Sequence, residues 1–353
     1  MTLLVVASVG CAYGQEKDPE RLKLKVGATQ ADDSNVTRLP DNKAVADQIN
    51  SQTLDVNVAL PIGQQRFELE ANLVNNQHQK QTQLDFLSQN YLAAWRWSLS
   101  PELLGVLSTK HTESLNSAAD SVDPNLRNKN IANLNDLTLG YLLGGPWHLV
   151  ADLSKGTSSN EQAVLGVSDV GYDAYTAGVS YSPSKTSSLS YGRRMESGTN
   201  TNALTGISNY SNSGHILLLT YALNDSTSFK ARLAYLEQHF SADPNYDFSG
   251  ISGGIDATWR ITSKSTFVGG WQRDIASFQT LDSTYAQTDT FSFAPQWQAR
   301  PTLNVGLMFK QSIRDALGNP NGTASTRRDR TSDSAFTVLW QPRNYVNFRA
   351  SVT

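Results

Sequence analysis

The sequence contains one cysteine, Cys11, and three methionines in 353 residues. One thiol cannot form a disulfide framework. It also lies in a leader-like segment, so cleavage of that leader would exclude thiol catalysis and cysteine-held zinc from the mature chain. Long apolar runs are missing as well. Past the leader no stretch of ~18 apolar residues occurs, which excludes a membrane-spanning helix. Charge of one sign is also lacking: the net charge is -3 and both signs are spread along the chain. That excludes a nucleic-acid footprint and a polybasic membrane anchor, so nucleic acid is not expected as a partner. Helical spacing of apolar residues is almost absent.

What is present is alternation with a period of two, the mark of strands with one apolar face. In LKLKVGA, Leu22, Leu24, Val26 and Ala28 oppose Lys23 and Lys25; in RFELEANL, Phe67, Leu69, Ala71 and Leu73 oppose Arg66, Glu68, Glu70 and Asn72. DLTLGYLL, WHLVADL, AYTAGVSY, FKARLAY, ISGGIDATWRI, FSFAPQW, LNVGLMFK and YVNFRASV repeat the pattern. Short turn signals recur at Pro61-Ile62-Gly63, Ser100-Pro101, Gly145-Pro146, Ser182-Pro183-Ser184, Asn224-Asp225, Thr262-Ser263, Arg300-Pro301 and Gln341-Pro342-Arg343. Their spacing is about 40 residues, one hairpin of two ~10-residue strands plus a longer loop. The long loops, over 31–52, 112–132, 157–170, 196–213 and 316–333, are rich in Asn, Asp, Ser, Thr and Gly.

Short turns alternating with long loops predict an all-β chain: a single antiparallel transmembrane β-barrel of the outer-membrane type, with short periplasmic turns and longer extracellular loops. The tryptophans agree with that side assignment. Trp95, Trp97, Trp147, Trp259, Trp297 and Trp340 lie within about five residues of a short turn, as an aromatic girdle at the headgroup level requires, and Trp271 lies apart. About 17 strands are legible, whereas bacterial single-chain barrels have an even number. The expectation is therefore about 18 strands, with 16 as fallback, over a barrel spanning 15–353 whose last strand is missing. The apolar run at the start, with small residues at Ala12 and Gly14, predicts a signal peptide over 1–14 truncated at its start. Localisation in the bacterial outer membrane follows, with outer-membrane lipid as the first partner.

The stretches NVTRLPD (35–41), PIGQQRFELEANL (61–73), LDFLSQNYLAAWRWSLSPELLGVLS (84–108) and KHTESLNSAAD (110–120) resemble the EpsL family, the outer-membrane barrel encoded in exosortase-linked exopolysaccharide operons of Gram-negative bacteria. The later hairpins are similar mainly in pattern. The resemblance implies a role in exopolysaccharide biosynthesis or export, with an exopolysaccharide chain and periplasmic export proteins as partners. The matching motifs are scaffold and not catalytic.

No enzyme is expected. The five histidines, at 78, 111, 148, 215 and 239, have no partner at ligand spacing, and neither a metal nor a cofactor is expected. His111, Glu113 and Ser114 could form a rim triad, but alternation sends Ser114 to the opposite side from the other two. The inward positions hold more information. The lumen should receive Arg66, Arg96, Lys110, Arg194, Lys230, Arg232, Arg260 and Lys310, with Lys23, Lys25 and Arg349, against Asp55, Glu68, Glu70, Asp136, Asp152 and Asp256. This surplus of basic groups predicts a mildly anion-favouring lumen, with facing ladders of opposite charge that only stiffen the wall as the other reading. No loop is conspicuously longer than its neighbours, so none is marked for insertion. A general or solute-specific porin, and a non-conducting scaffold for periplasmic partners, stay open as alternatives.

Overall fold

A computed structural model of the chain describes residues 21–37, 44–116, 127–162, 164, 167–202, 206–322, 325–343 and 346–352. The expected leader and its cleavage site lie outside these. The described residues form one 17-stranded sheet. Its strands in chain order are β1 (Leu22–Asp33), β2 (Asp47–Ile62), β3 (Gln65–His78), β4 (Phe86–Ser98), β5 (Leu103–Leu115), β6 (Lys129–Gly144), β7 (Trp147–Asn160), β8 (Asp169–Ser184) and β9 (Ser187–Asn202). They continue as β10 (Gly206–Asn224), β11 (Thr227–Phe240), β12 (Phe248–Arg260), β13 (Ser265–Ser277), β14 (Tyr285–Arg300), β15 (Leu303–Leu317), β16 (Arg328–Arg343) and β17 (Val346–Val352).

Every strand pairs antiparallel with its neighbour in sequence, from β1–β2 through β9–β10 to β16–β17. The protein is an outer-membrane-type β-barrel of this up-and-down kind. With an odd number of strands, β1 and β17 run in the same direction, and among the described residues no ladder joins them. The expected eighteenth strand, which would run antiparallel to both, is not among the described residues.

Alternation decides the two faces. Exposed apolar side chains such as Leu54, Leu60, Leu69, Leu149, Leu153, Leu219, Ile255, Phe291 and Trp340 all fall on one parity, and register carries that face across the sheet: Leu60 opposes Phe67, and Phe67 opposes Trp95. Four or five alternate apolar residues per strand make a band of the height of a bilayer core, about 25 Å. Large apolar surface left bare in this way is stable against lipid and not against water. This belt places the chain in the bacterial outer membrane.

The short turns set the inner end of the band. At Gly144-Gly145 both residues have positive φ, 120° and 57°, which glycine adopts without strain. Two expected turns move. Ser182-Pro183-Ser184 belongs to β8, and the reversal comes after it, at Lys185-Thr186; Gln341-Pro342-Arg343 belongs to β16. Proline cannot donate to a ladder, and the register is irregular at both places. The expected loop over 196–213 is mostly ladder too, with Glu196 opposite Asn212 and Thr201 opposite Ile207. Its Ser, Thr and Asn side chains have the composition of a loop, but a hairpin standing above the membrane needs only backbone pairing.

Trp95 and Trp97 of β4 both face outward. Trp95 lies parallel to Phe67 at 5.9 Å and donates its indole N–H to the side chain of Gln65, the first residue of β3, at 3.0 Å. Trp97 lies over its register partner Gly105, where any Cβ would overlap the indole. Gly105→Leu is therefore expected to displace Trp97 and lower the thermal unfolding temperature, with a shift in indole emission. Unchanged emission would show that the ring does not depend on this glycine.

Candidate functional site

The inward face carries the chemistry. Arg66, Glu68, Glu70, Arg96, Lys110, Arg194, Lys230, Arg232, Arg260 and Lys310 all stand on the parity opposite the apolar belt. The structure does not gather them into one site. Glu68 is held between Arg66 and Arg96, at 2.8 Å from each. Arg194 pairs with Glu196 at 2.8 Å, and Glu196 accepts the Tyr210 hydroxyl at 2.9 Å. Arg232 reaches Asp274 at 3.3 Å, and Arg314 reaches Asp329 at 2.7 Å. Glu196, Asp274, Asp329 and Asp333 are inward acids that the sequence reading missed, along with the base Arg314, and they bring the wall close to charge balance. Their strands alternate weakly, so only the register assigns their face.

The wall is asymmetric. On the side of β2 to β6 a groove is lined by Asp55, Asn57, Glu70, Asn72, Arg96 and Lys110. Asn72 donates to Asp55 at 2.7 Å, and Asn90 donates to Ser88 at 2.9 Å, so amides and carboxylates line one part of the groove, with Leu92, Val106 and Leu134 beside them. Across the lumen Tyr210, Phe240, Tyr246 and Phe248 form a buried aromatic cluster.

The mouth opposite the short turns is narrowed by a short segment, residues 278–284 between β13 and β14. Phe278, 3 % exposed, packs on the inward Ala286 and Ala316, with Val167 of the β7–β8 connection against them. The guanidinium carbons of Arg314 and Arg327 lie 5.2 and 5.4 Å from the Phe278 ring centre. Asn200 of β9 donates to the Gln279 side chain at 3.2 Å, although β10, β11 and β12 intervene in the wall. Tyr246 donates to the Thr280 carbonyl at 3.2 Å. These contacts tie the segment to β9 and to the connections before β8 and β12, so it folds inward over that sector of the mouth. Its brevity hid it, and an aromatic residue between two strands, in SFQTLD, was the one signal.

Outside the membrane, Asp47 clamps two loops together. Its carboxylate accepts main-chain N–H bonds from Gln48 at 2.8 Å, from Lys80 at 3.0 Å and from Gln81 at 2.8 Å. Burial alone would raise its pKa, but these donors and nearby His78 outweigh that and hold it below the ordinary carboxylate range. A depressed folded-state value means that the clamp is intact above the ordinary carboxylate pKa and is lost as pH falls through the depressed one. Acid is therefore expected to speed hydrogen exchange at Lys80 and Gln81. Asp47→Asn should show fast exchange already at neutral pH; slow exchange in that variant would overturn the assignment.

His111 and Glu113 face outward, 3.5 Å apart, and Glu113 binds Lys129 at 3.1 Å. Ser114 faces inward, opposite Asn130.

No family model and no curated protein matches the chain. Solved structures do. A mutant of the ferric enterobactin receptor of Pseudomonas aeruginosa, in complex with enterobactin, superposes with a TM-score of 0.50 at 9 % identity, over 95 % of this chain and 62 % of that one. The alcaligin outer-membrane receptor FauA of Bordetella pertussis gives 0.44 at 13 % identity, covering 95 % and 62 %. The siderophore receptor PirA of Acinetobacter baumannii gives 0.43 at 11 %, covering 92 % and 60 %. What is shared is the barrel. At such identities the likeness carries fold and no ligand, and the chain spans under two thirds of the length of these receptors.

Proposed function

We propose that the barrel serves exopolysaccharide biosynthesis or export at the outer membrane, as a porin-like conduit or as an assembly component. The observation that carries this reading is the polar strip on β2 to β6. A hydroxyl-rich chain can exchange hydrogen bonds with Asp55, Asn57, Glu70 and Asn72 and lay its apolar ring faces on the inward Leu92, Val106 and Leu134 beside them, and Lys110 favours acidic sugars. The resemblance of residues 35–41, 61–73, 84–108 and 110–120 supports the same reading. In it the inward side chains line the path, the six tryptophans beside the short turns anchor the inner rim in the headgroups, and the chain performs no chemistry of its own. Partners are the polysaccharide and periplasmic export proteins docking at the short turns.

Deletion of the gene is expected to abolish or reduce secreted polysaccharide, with restoration by the wild-type gene. Unchanged secretion, with purified protein that conducts small solutes, would replace this reading with that of a porin. The segment folded inward over the mouth favours a second reading, a scaffold that conducts nothing, for which restored secretion without measurable conductance is the expected pair of results.

A further inference from the structure

We infer that the outward face of β9 to β12 holds a binding site for an anionic, phosphorylated lipid of the outer leaflet. The inference rests on the barrel fold and is independent of the polysaccharide reading. A shallow apolar groove runs between Tyr191, Leu217, Leu233, Tyr235 and Ile251, with His215 at its head. Its side wall drops at Gly253, the register partner of Leu233, which has no side chain to fill the space.

The head of the groove is cationic. Arg193 is the register partner of His215, and both are exposed on the lipid-facing parity. Arg193 donates to His215 Nε2 at 2.5 Å, so that nitrogen carries no proton; Nδ1–H then donates to the Tyr191 hydroxyl oxygen at 2.6 Å. This arrangement leaves the Tyr191 O–H and the remaining Arg193 N–H groups free to donate. Among the described residues Arg193 has no carboxylate partner. Of the other ionic groups at this level, Lys155 pairs with Asp173 at 3.3 Å and Arg273 with Asp289 at 2.8 Å, while Glu237 accepts the Tyr235 hydroxyl at 3.1 Å.

Depth completes the argument. His215 lies nine residues above Asn224 and its partner Arg193 six residues above Ser187 at the short turns, or roughly 23 and 15 Å at 3.3 Å per residue and a 40° tilt. The pair stands in the outer half of the belt, and just above it the outward face turns polar, with Ser213 and Ser211 on β10 and Ser197 and Thr199 on β9, so a headgroup is within reach of the arginine side chain. A guanidinium left unpaired there is costly unless an anion meets it, and a phosphate accepts bidentate donation from arginine with a further bond from the tyrosine. The groove below matches the lipid's own acyl chains.

The test uses the full chain in neutral detergent, titrated with lipid A bisphosphate and with the same lipid after dephosphorylation, and read by native mass spectrometry. Heat-modifiable migration on gels verifies the fold of every variant. Phosphorylated lipid should bind in preference, and Arg193→Ala should weaken its retention roughly tenfold. Tyr191→Phe, which keeps the ring, should weaken it less. Leu233→Trp, which fills the groove without touching the head, should weaken both lipids and remains decisive where Arg193→Ala fails to fold. Equal binding of the two lipids, or wild-type retention in Arg193→Ala, overturns the site. Displacement of the lipid by equimolar inorganic phosphate overturns the lipid as its occupant.

Discussion

Shortening residues 279–283 to a two-residue turn is expected to raise single-channel conductance several-fold. The segment folds inward over the sector of the mouth between β9 and β14, and the Asn200–Gln279 bond and the packing of Phe278 on Ala286 and Ala316 fix it there. Both anchors are on the lumen side, so their loss leaves the lipid-facing belt untouched and the barrel should still insert. Phe278→Ala is a milder version, because it empties the space between Arg314 and Arg327 and gives up two cation–π contacts. It should raise conductance less and broaden its distribution, as a loosened tip visits several positions. Planar-bilayer recordings on both variants check this. Conductance at the wild-type level in the shortened protein would show that the narrowest point lies elsewhere, along the wall.

The second large effect is on stability. Ile255 stands in the middle of the outward belt and is 45 % exposed to what surrounds it. Ile255→Arg is expected to cost about 2–4 kcal/mol in equilibrium unfolding from lipid vesicles, the penalty for a cation at the bilayer midplane. Thr258→Arg, on the same strand but facing the lumen, should cost far less, because water and the inward Asp256 receive it. Equal losses at the two positions would mean that the β12 face carrying Ile255 is not in contact with hydrocarbon. The assignment of inside and outside would fail with it.

Trp271 illustrates how local sequence and register combine. It departs from the pattern of tryptophans beside short turns. The pairing of β13 with β12 and β14 sets it opposite Ile255 and Phe291, and its indole N–H donates to Asp289 at 3.3 Å. The ring stands within the belt, level with Ile255, and its N–H edge reaches the polar Arg273–Asp289 pair at the outer boundary. That polar edge suits the outer boundary as the other indoles suit the inner one.

Alternation by itself determined the strands, the apolar belt and the choice of lipid over a protein core, because side-chain parity along one strand is a local property of extended backbone. It also determined the inward positions of Arg66, Glu68, Glu70, Arg96 and Lys110, whose strands alternate strongly. Composition misled where backbone pairing continued above the membrane, as in the β9–β10 hairpin, since Ser, Thr and Asn fill a loop and a solvated ladder equally well. Only the tertiary structure decided the partnership of Arg194 with Glu196, the near balance of charge on the wall and the inward fold of residues 278–284 over one sector of the mouth. Each of these depends on which strands stand side by side or face one another across the barrel. That arrangement comes from register and curvature summed over the whole sheet, and no window of sequence contains it.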